Sequence, residues 1–237
     1  MLTSAPSDRR ALSASSPDFA LQSTPKHVAL IMDGNRRWAR ARGMPAAAGH
    51  RRGAKRLESL LPLVARTPIE TLTLFGFAAA NWQRSSAEVS DLMQLAEATL
   101  LRCAARCQAA GIAVEVIGRR DRLTESLVRA IRRVEQATAG GSRRLRVAFD
   151  YSSREAILSA ACRSGNRDPA GLSAALGGSD VDLLIRTGRE QRLSDFLLWE
   201  CAFAELYFPD VLWPDFDGER FTQALAWYSA RERRFGR

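Results

Sequence analysis

His27-Val28-Ala29-Leu30-Ile31-Met32-Asp33-Gly34-Asn35-Arg36-Arg37-Trp38 is the stretch whose reading decides the fold. An apolar run stops at a lone carboxylate, a glycine, an asparagine and two arginines follow, and a helix-like stretch begins. A buried strand that ends in a tight turn and feeds a helix is how an α/β fold builds an anion site, because the helix N-terminus presents free N–H groups. Asp33 adds a carboxylate able to hold Mg²⁺. Diphosphate plus magnesium is therefore the first functional expectation. The plainer alternative is a strand–turn–helix corner with Asp33 as a simple cap.

Outward from this segment, apolar runs alternate with helical patterns. Strands are expected at 28–32, 71–77, 112–117, 145–149, 182–185 and 205–208, several of them continuous runs of the kind found in buried parallel strands. Helices are expected over 49–66, with Ala54, Leu57, Leu61 and Val64 on one face, and over 85–110, opened by the capping-box pattern Ser85-Ser86-Ala87-Glu88. A further helix is read at 124–138, Asp168-Pro169 reads as an N-cap with Pro at the first helical position, and Asp217 caps the last helix. The stretch 164–179 is a Gly- and Ser-rich linker too short to divide domains. The pattern predicts one α/β domain, a central, mostly parallel six-stranded sheet flanked by helices.

Length and composition agree. The chain has 237 residues, 46% of them hydrophobic, which suits one sizeable domain. Residues 1–24 read as a disordered leader without an apolar signal region, and 25–237 as the folded domain. No apolar stretch approaches the roughly 20 residues that span a bilayer. The net charge of +9 and the pI of about 10.3 call for an anionic partner. Zinc-finger spacing, an aromatic RNA-binding signature and a disordered basic tail are all missing, so nucleic acid is not expected. The four cysteines, Cys103, Cys107, Cys162 and Cys201, form no C-x-x-C pair and fit a reducing cytosol.

In such a sheet, function sits at the carboxyl ends of the strands. The first end gives Asp33 to Arg37, the second Ala78-Ala79-Ala80-Asn81-Trp82-Gln83-Arg84, the fifth Arg186-Thr187-Gly188-Arg189-Glu190-Gln191-Arg192-Leu193-Ser194, and the sixth strand begins with Glu205. Arginines recur at three of these loops, as expected if two phosphorylated ligands lie side by side, since the guanidinium fork matches phosphate oxygens. Each element also has a structural reading: Arg186 as an ion pair, Glu205 as a strand-end charge, Trp38 and Trp82 as core aromatics, and His50 as a helix-start residue.

These motifs, together with Gly49-His50, Gly53-Ala54, Ala204 to Phe208, Trp213-Pro214-Asp215-Phe216 and the ending 231–236, resemble the cis-prenyltransferases, most closely the undecaprenyl diphosphate synthases. The resemblance covers roughly residues 26 to 236. It implies a transferase that condenses isopentenyl diphosphate with an allylic diphosphate, farnesyl or shorter, to give a Z-polyprenyl diphosphate. Asp33 would hold Mg²⁺ and help the allylic diphosphate leave. Gly34, Asn35, Arg36, Arg37 and His50 would bind that diphosphate, with Trp38, Trp82 and Arg84 beside the substrates. Arg186, Arg192 and Ser194 would bind isopentenyl diphosphate. Glu205 resembles the family's second metal-site carboxylate, supplied from the same chain or from a partner subunit. Asn81 matches the position usually called the proton acceptor; an amide is too weak a base for that, so it is read as orienting substrate while a diphosphate oxygen takes the proton. An apolar product tunnel, a cytosolic homodimer and a loose contact with the inner face of the membrane are implied as well.

The chain departs from the family in its loops. Ala78, Ala79 and Ala80 replace Ser-Ser/Thr-Glu, Ala46 replaces an arginine, Arg189 a glycine and Gln191 a histidine. Arg36, Arg51 or Arg189 are the candidates to restore the lost cation. An active enzyme of altered rate or specificity is expected; the alternatives are a short-chain or unusual prenyl synthase of specialised isoprenoid metabolism and, less favoured, a non-catalytic partner subunit.

Overall fold

β1 (His27–Ile31) is buried along its whole length, as a strand covered on both faces must be. It lies inside a six-stranded sheet with β2 (Thr71–Ala78), β3 (Ile112–Ile117), β4 (Arg143–Tyr151), β5 (Leu183–Arg186) and β6 (Glu205–Tyr207). The strand order is β3-β4-β2-β1-β5-β6 and every pairing is parallel. The computed structural model describes residues 24–164 and 168–232. The expected leader therefore lies outside the described residues except for Thr24, as does most of the 231–236 ending.

Among the described residues seven helices cover the sheet: α1 (Asn35–Arg40), α2 (Ala46–Val64), α3 (Ser86–Ala109), α4 (Glu125–Ala137), α5 (Ser153–Ser164), α6 (Pro169–Leu176) and α7 (Gly218–Ser229). The caps act as their residue types dictate: the Ser85 hydroxyl accepts from the Glu88 N–H at 3.3 Å, and Asp168 Oδ1 accepts from the Gly171 N–H at 2.7 Å. Three differences from the sequence reading stand out. α2 begins at Ala46 rather than Gly49. The 164–179 linker holds α6. α5 has no counterpart among the expected helices, because its large aliphatic Leu158 is exposed while the small Ala160 is buried, which blurs the apolar stripe.

Side chains alternate between two cores. Val28, Leu30, Leu72, Leu74, Leu183 and Ile185 pack with α2 and α7, and Cys103 and Cys107 of α3 belong to the same cluster. Ala29, Ile31, Ala148 and Leu184 face the other way, against Phe196 and Leu197. No helix among the described residues is long and apolar enough to cross a membrane.

The carboxyl end of β1 depends on two glycines. Gly34 has φ +108°, a left-handed conformation that bulky residues resist, and a Cβ there would stand 2.8 Å from Leu212. Gly49 lets α2 touch the start of α1: a Cβ would stand 2.1 Å from the Asn35 carbonyl oxygen. Gly49→Ala is expected to destabilise the chain by about 1–3 kcal/mol through overpacking. Urea denaturation should show a lower midpoint, and an unchanged midpoint would contradict this close approach.

Candidate active site

The β1–β5 register places Ile31 opposite Arg186, so the end of each strand delivers its charge to the same point. Asp33 Oδ2 accepts from Arg186 Nη2 and Asp33 Oδ1 pairs with Arg37 Nη2, each at 3.0 Å. The carbonyl oxygen of Asp33 accepts from the Trp213 N–H at 3.0 Å and from the Thr187 hydroxyl at 2.8 Å. Asp33 thus ties β1, α1, β5 and the 211–215 segment together.

Arg186 is almost fully buried. Its Nη1 donates to Ser194 Oγ at 2.8 Å and to the Arg192 carbonyl, while its Nε is buried with no partner. An uncommitted buried donor at the mouth of a site suits an incoming anion. The Arg192 side chain is exposed and pairs with Glu190 at 2.6 Å; Glu190 also reaches Arg37 at 3.4 Å. One acid thereby bridges the two arginine sets expected to hold two different diphosphates. Ser194 takes φ +52° in the turn that brings it to Arg186.

Beside Asp33 lies a polar pocket lined by Gly34, Asn35, Arg36, Arg37, Arg40, His50 and Arg84, among others. Ala46 lines it too, and the cations around it are Arg36, Arg37, Arg40 and Arg84. Of the three candidates for the missing cation, Arg36 is at the pocket, whereas Arg189 turns to Asp210 and Arg51 is exposed outside the lining. His50, Met32 and Asn35 also line an adjoining apolar cavity of about 160 Å³, enclosed by Leu57, Leu92, Leu95, Leu100, Leu145 and Phe149. A basic pocket adjoining an apolar one is what an ionic head with a hydrocarbon tail requires.

The remaining expected residues fall in three places. Asn81, Trp82 and Arg84 lie in or next to the 3₁₀ turn Ala79–Gln83 at the end of β2, with Arg84 on Glu88 at 3.0 Å. Trp38 sits outside both pockets: its indole N–H donates to Asp215 Oδ1 at 2.8 Å, and Arg42 lies over its ring at 4.2 Å. Glu205 lies apart from the others within the chain. It begins β6 opposite Leu183, three registers before Arg186, so within the chain it stands about 10 Å down the strands from the Asp33 end. It pairs there with Arg231 at 3.2 Å. The chain's own fold does not bring Asp33 and Glu205 together, because Glu205 starts its strand where Asp33 follows one. Among the described residues no group of three His, Cys, Asp or Glu could hold a metal ion.

Sequence reasoning missed Glu88, Glu190 and Asp150 as partners of these loops. The last was detectable: the ends of the third and fourth strands, Gly118 to Arg122 and Asp150 to Ser153, were not read with the others.

A family model described as "Putative undecaprenyl diphosphate synthase" matches residues 31–236. Isoprenyl transferase 1 of Bradyrhizobium diazoefficiens is 44% identical over 227 residues, covering 92% of this chain and 92% of its own. The ditrans,polycis-undecaprenyl-diphosphate synthase ((2E,6E)-farnesyl-diphosphate specific) of Pseudomonas putida is 42% identical over 233 residues, 92% of this chain and 93% of its own. Among solved structures, lavandulyl diphosphate synthase from Lavandula x intermedia, in complex with dimethylallyl diphosphate, matches with a TM-score of 0.85 at 34% identity over 90% of this chain and 99% of that one. The fold is that of a prenyltransferase, and the chain belongs to this undecaprenyl diphosphate synthase family.

Burial lowers the pKa of His50, and the neighbouring Arg84 lowers it further. His50 is thus a neutral hydrogen-bonding group near neutral pH. Because its folded pKa lies below the ordinary 6.5, the unfolded chain binds more protons below that pH, and this share of stability is lost as pH falls. Glu200, raised by burial, works in the opposite sense, so the diagnostic is a difference between variants. Between about pH 7.5 and about pH 5.5 the parent should lose more stability than His50→Gln in urea melts. Equal losses would show that His50 titrates normally.

Proposed function

We propose that the chain condenses isopentenyl diphosphate with an allylic diphosphate to give a Z-polyprenyl diphosphate. The observation that carries this reading is the Asp33 node: one carboxylate between arginines from two strand ends, beside a basic pocket that adjoins an apolar cavity. The allylic diphosphate lies on Arg36, Arg37 and His50 with the N–H groups of Gly34 and Asn35. Isopentenyl diphosphate lies on Arg186, Arg192 and Ser194. Isopentenyl diphosphate takes Arg192 from Glu190 and gives the orphan Arg186 Nε an acceptor, while the allylic diphosphate takes Arg37. The apolar cavity excludes water from the allylic cation and becomes the start of the product tunnel.

The donor set fits a magnesium ion recruited with substrate. Asp33 is a single, partly exposed carboxylate, and Mg²⁺ is commonly held by one or two carboxylates with phosphate oxygens and water completing its shell. When bound, it would neutralise charge on the departing diphosphate. Asp33 would hold it, exchanging a guanidinium for the ion. Arg37 and His50 then donate to the leaving group as its charge grows. Asn81 orients the reacting chain, and a diphosphate oxygen takes the proton lost from isopentenyl diphosphate.

We place the chain in the cytosol as a homodimer with a peripheral membrane contact. β6 is a three-residue edge strand that exposes its own Leu206, with Phe203 exposed just before it, and a second copy would cover them. The net charge of +9 and an apolar product support contact with an anionic bilayer. A short-chain product is the second reading, favoured by the alanines at 78, 79 and 80, which bring no polar side chain to the turn. Incubation with labelled isopentenyl diphosphate, Mg²⁺ and five-, ten- or fifteen-carbon allylic primers, followed by product sizing, tests both. Restoring Ser-Ser-Glu at the three alanines should lengthen the product if the second reading holds.

Asp33→Asn keeps the shape of the node and should lower kcat by about 10²–10³-fold, the scale of one lost electrostatic stabiliser. Excess EDTA should abolish turnover; full activity in EDTA would remove the metal assignment. Arg192→Ala should raise KM for isopentenyl diphosphate by about tenfold or more, as a lost charge-assisted contact does, and raise it less for the primer. The reverse pattern would show the two subsites exchanged.

A further inference from the structure

The penultimate residue of β4, Asp150, is used by neither the anion site nor the apolar cavity. Asp150 is fully buried and holds φ +48°, a left-handed conformation that Asp tolerates better than most residues. Its Oδ1 accepts from the Trp82 indole N–H at 2.8 Å and from Arg122 Nη2, and its Oδ2 accepts from Arg122 Nε at 2.9 Å. Arg122 also lies over the Trp82 ring, 5.4 Å from its centroid. Phe77 meets that ring edge-on at 5.4 Å. The carboxylate thus joins three elements: the end of β4, the segment between β3 and α4, and the 3₁₀ turn that carries Asn81.

That turn has little else to hold it. Ala78, Ala79 and Ala80 have no polar side-chain atoms, and Asn81 Oδ1 is spent inside the turn, accepting from the Ala78 N–H at 3.1 Å. Among the described residues the turn's side-chain tether to the sheet is Trp82, which is held by Asp150 and by its packing against the Phe77 cluster. Two residues on, Arg84 reaches the basic pocket. We infer that Asp150, clamped by Arg122, is a positioning residue for the reaction: through Trp82 it sets where Asn81 and Arg84 meet the substrates. This rests on the reading of the Asn81 turn as part of the reaction site. An amide cannot replace the acid. With its oxygen at the Oδ1 place, Asp150→Asn still accepts from Trp82 and Arg122 Nη2 but turns its N–H against Arg122 Nε; in the flipped orientation it keeps Arg122 Nε and strips Trp82.

The test is a double-mutant cycle on the full chain, with kcat and both KM values measured for the parent, Asp150→Asn, Trp82→Phe and the pair. Expected are a loss in kcat of about tenfold or more for Asp150→Asn, as small misplacements produce, with melting temperature within about 4 °C of the parent. The double variant should be no slower than Trp82→Phe. Losses that multiply, or a kcat unchanged by Asp150→Asn, would overturn the inference. If Asp150→Asn does not fold, Arg122→Lys takes its place in the cycle, keeping the charge and losing the fork, with the same two outcomes. Asn81→Ala separates the inference from its premise. If that variant keeps the parent rate, the role of the turn fails; if it is slow while Asp150→Asn is not, only the positioning role fails.

Discussion

Two guanidiniums share one carboxylate, and the functional end of the molecule is arranged around that contact. Arg186 is only 5% exposed, and a buried cation without a counter-charge costs several kcal/mol. Asp33 supplies the counter-charge only because β1 and β5 run parallel in a register that sets Ile31 beside Arg186. The left-handed Gly34 then turns the chain so that Arg37 returns to the other carboxylate oxygen. A shift of β5 by one residue would turn Arg186 to the opposite face of the sheet. Structural and chemical demands on Asp33 therefore coincide, which is why an isosteric amide probes its chemistry better than truncation does.

The two faces of the sheet divide the labour. On one, alternate residues of β4, Leu145, Val147 and Phe149, line the apolar cavity under α2 and α3. On the other, Arg146 and Asp150 of the same strand are buried with polar partners: Arg146 reaches Glu115 at 3.0 Å and the Leu176 carbonyl, and Asp150 takes Trp82 and Arg122. The same period of two that makes the strand amphipathic sets a hydrocarbon chamber and an ionic scaffold back to back.

Much of this was legible in the chain. The strands announced themselves as continuous apolar runs because buried parallel strands have no polar face to interrupt them. The convergence of Asp33, Arg37 and Arg186 was legible because these residues lie at or just after strand ends, where sequence order and spatial order agree. What could not be read depends on contacts between distant segments. α5 escaped because it packs through Ala160 and exposes Leu158. Glu190 looked like a loop charge until the fold set it between Arg37 and Arg192. Glu205 opens β6 as its sequence position indicates, and only the β5–β6 register shows that this sets it apart from Asp33 within the chain. Ala46 signalled a missing cation, and only the pocket lining identified Arg40 and Arg84 among those present.

The claim that most depends on this geometry is that two diphosphates bind side by side about the Asp33 node. A crystal structure of the protein with Mg²⁺, isopentenyl diphosphate and an unreactive thiolo analogue of the allylic diphosphate tests it directly. The account predicts one diphosphate within hydrogen-bonding distance of Arg186, Arg192 and Ser194, the other on Arg37 and His50, and Glu190 withdrawn from both arginines. Diphosphates bound away from Asp33, or Glu190 still bridging Arg37 and Arg192 with both substrates present, would contradict it.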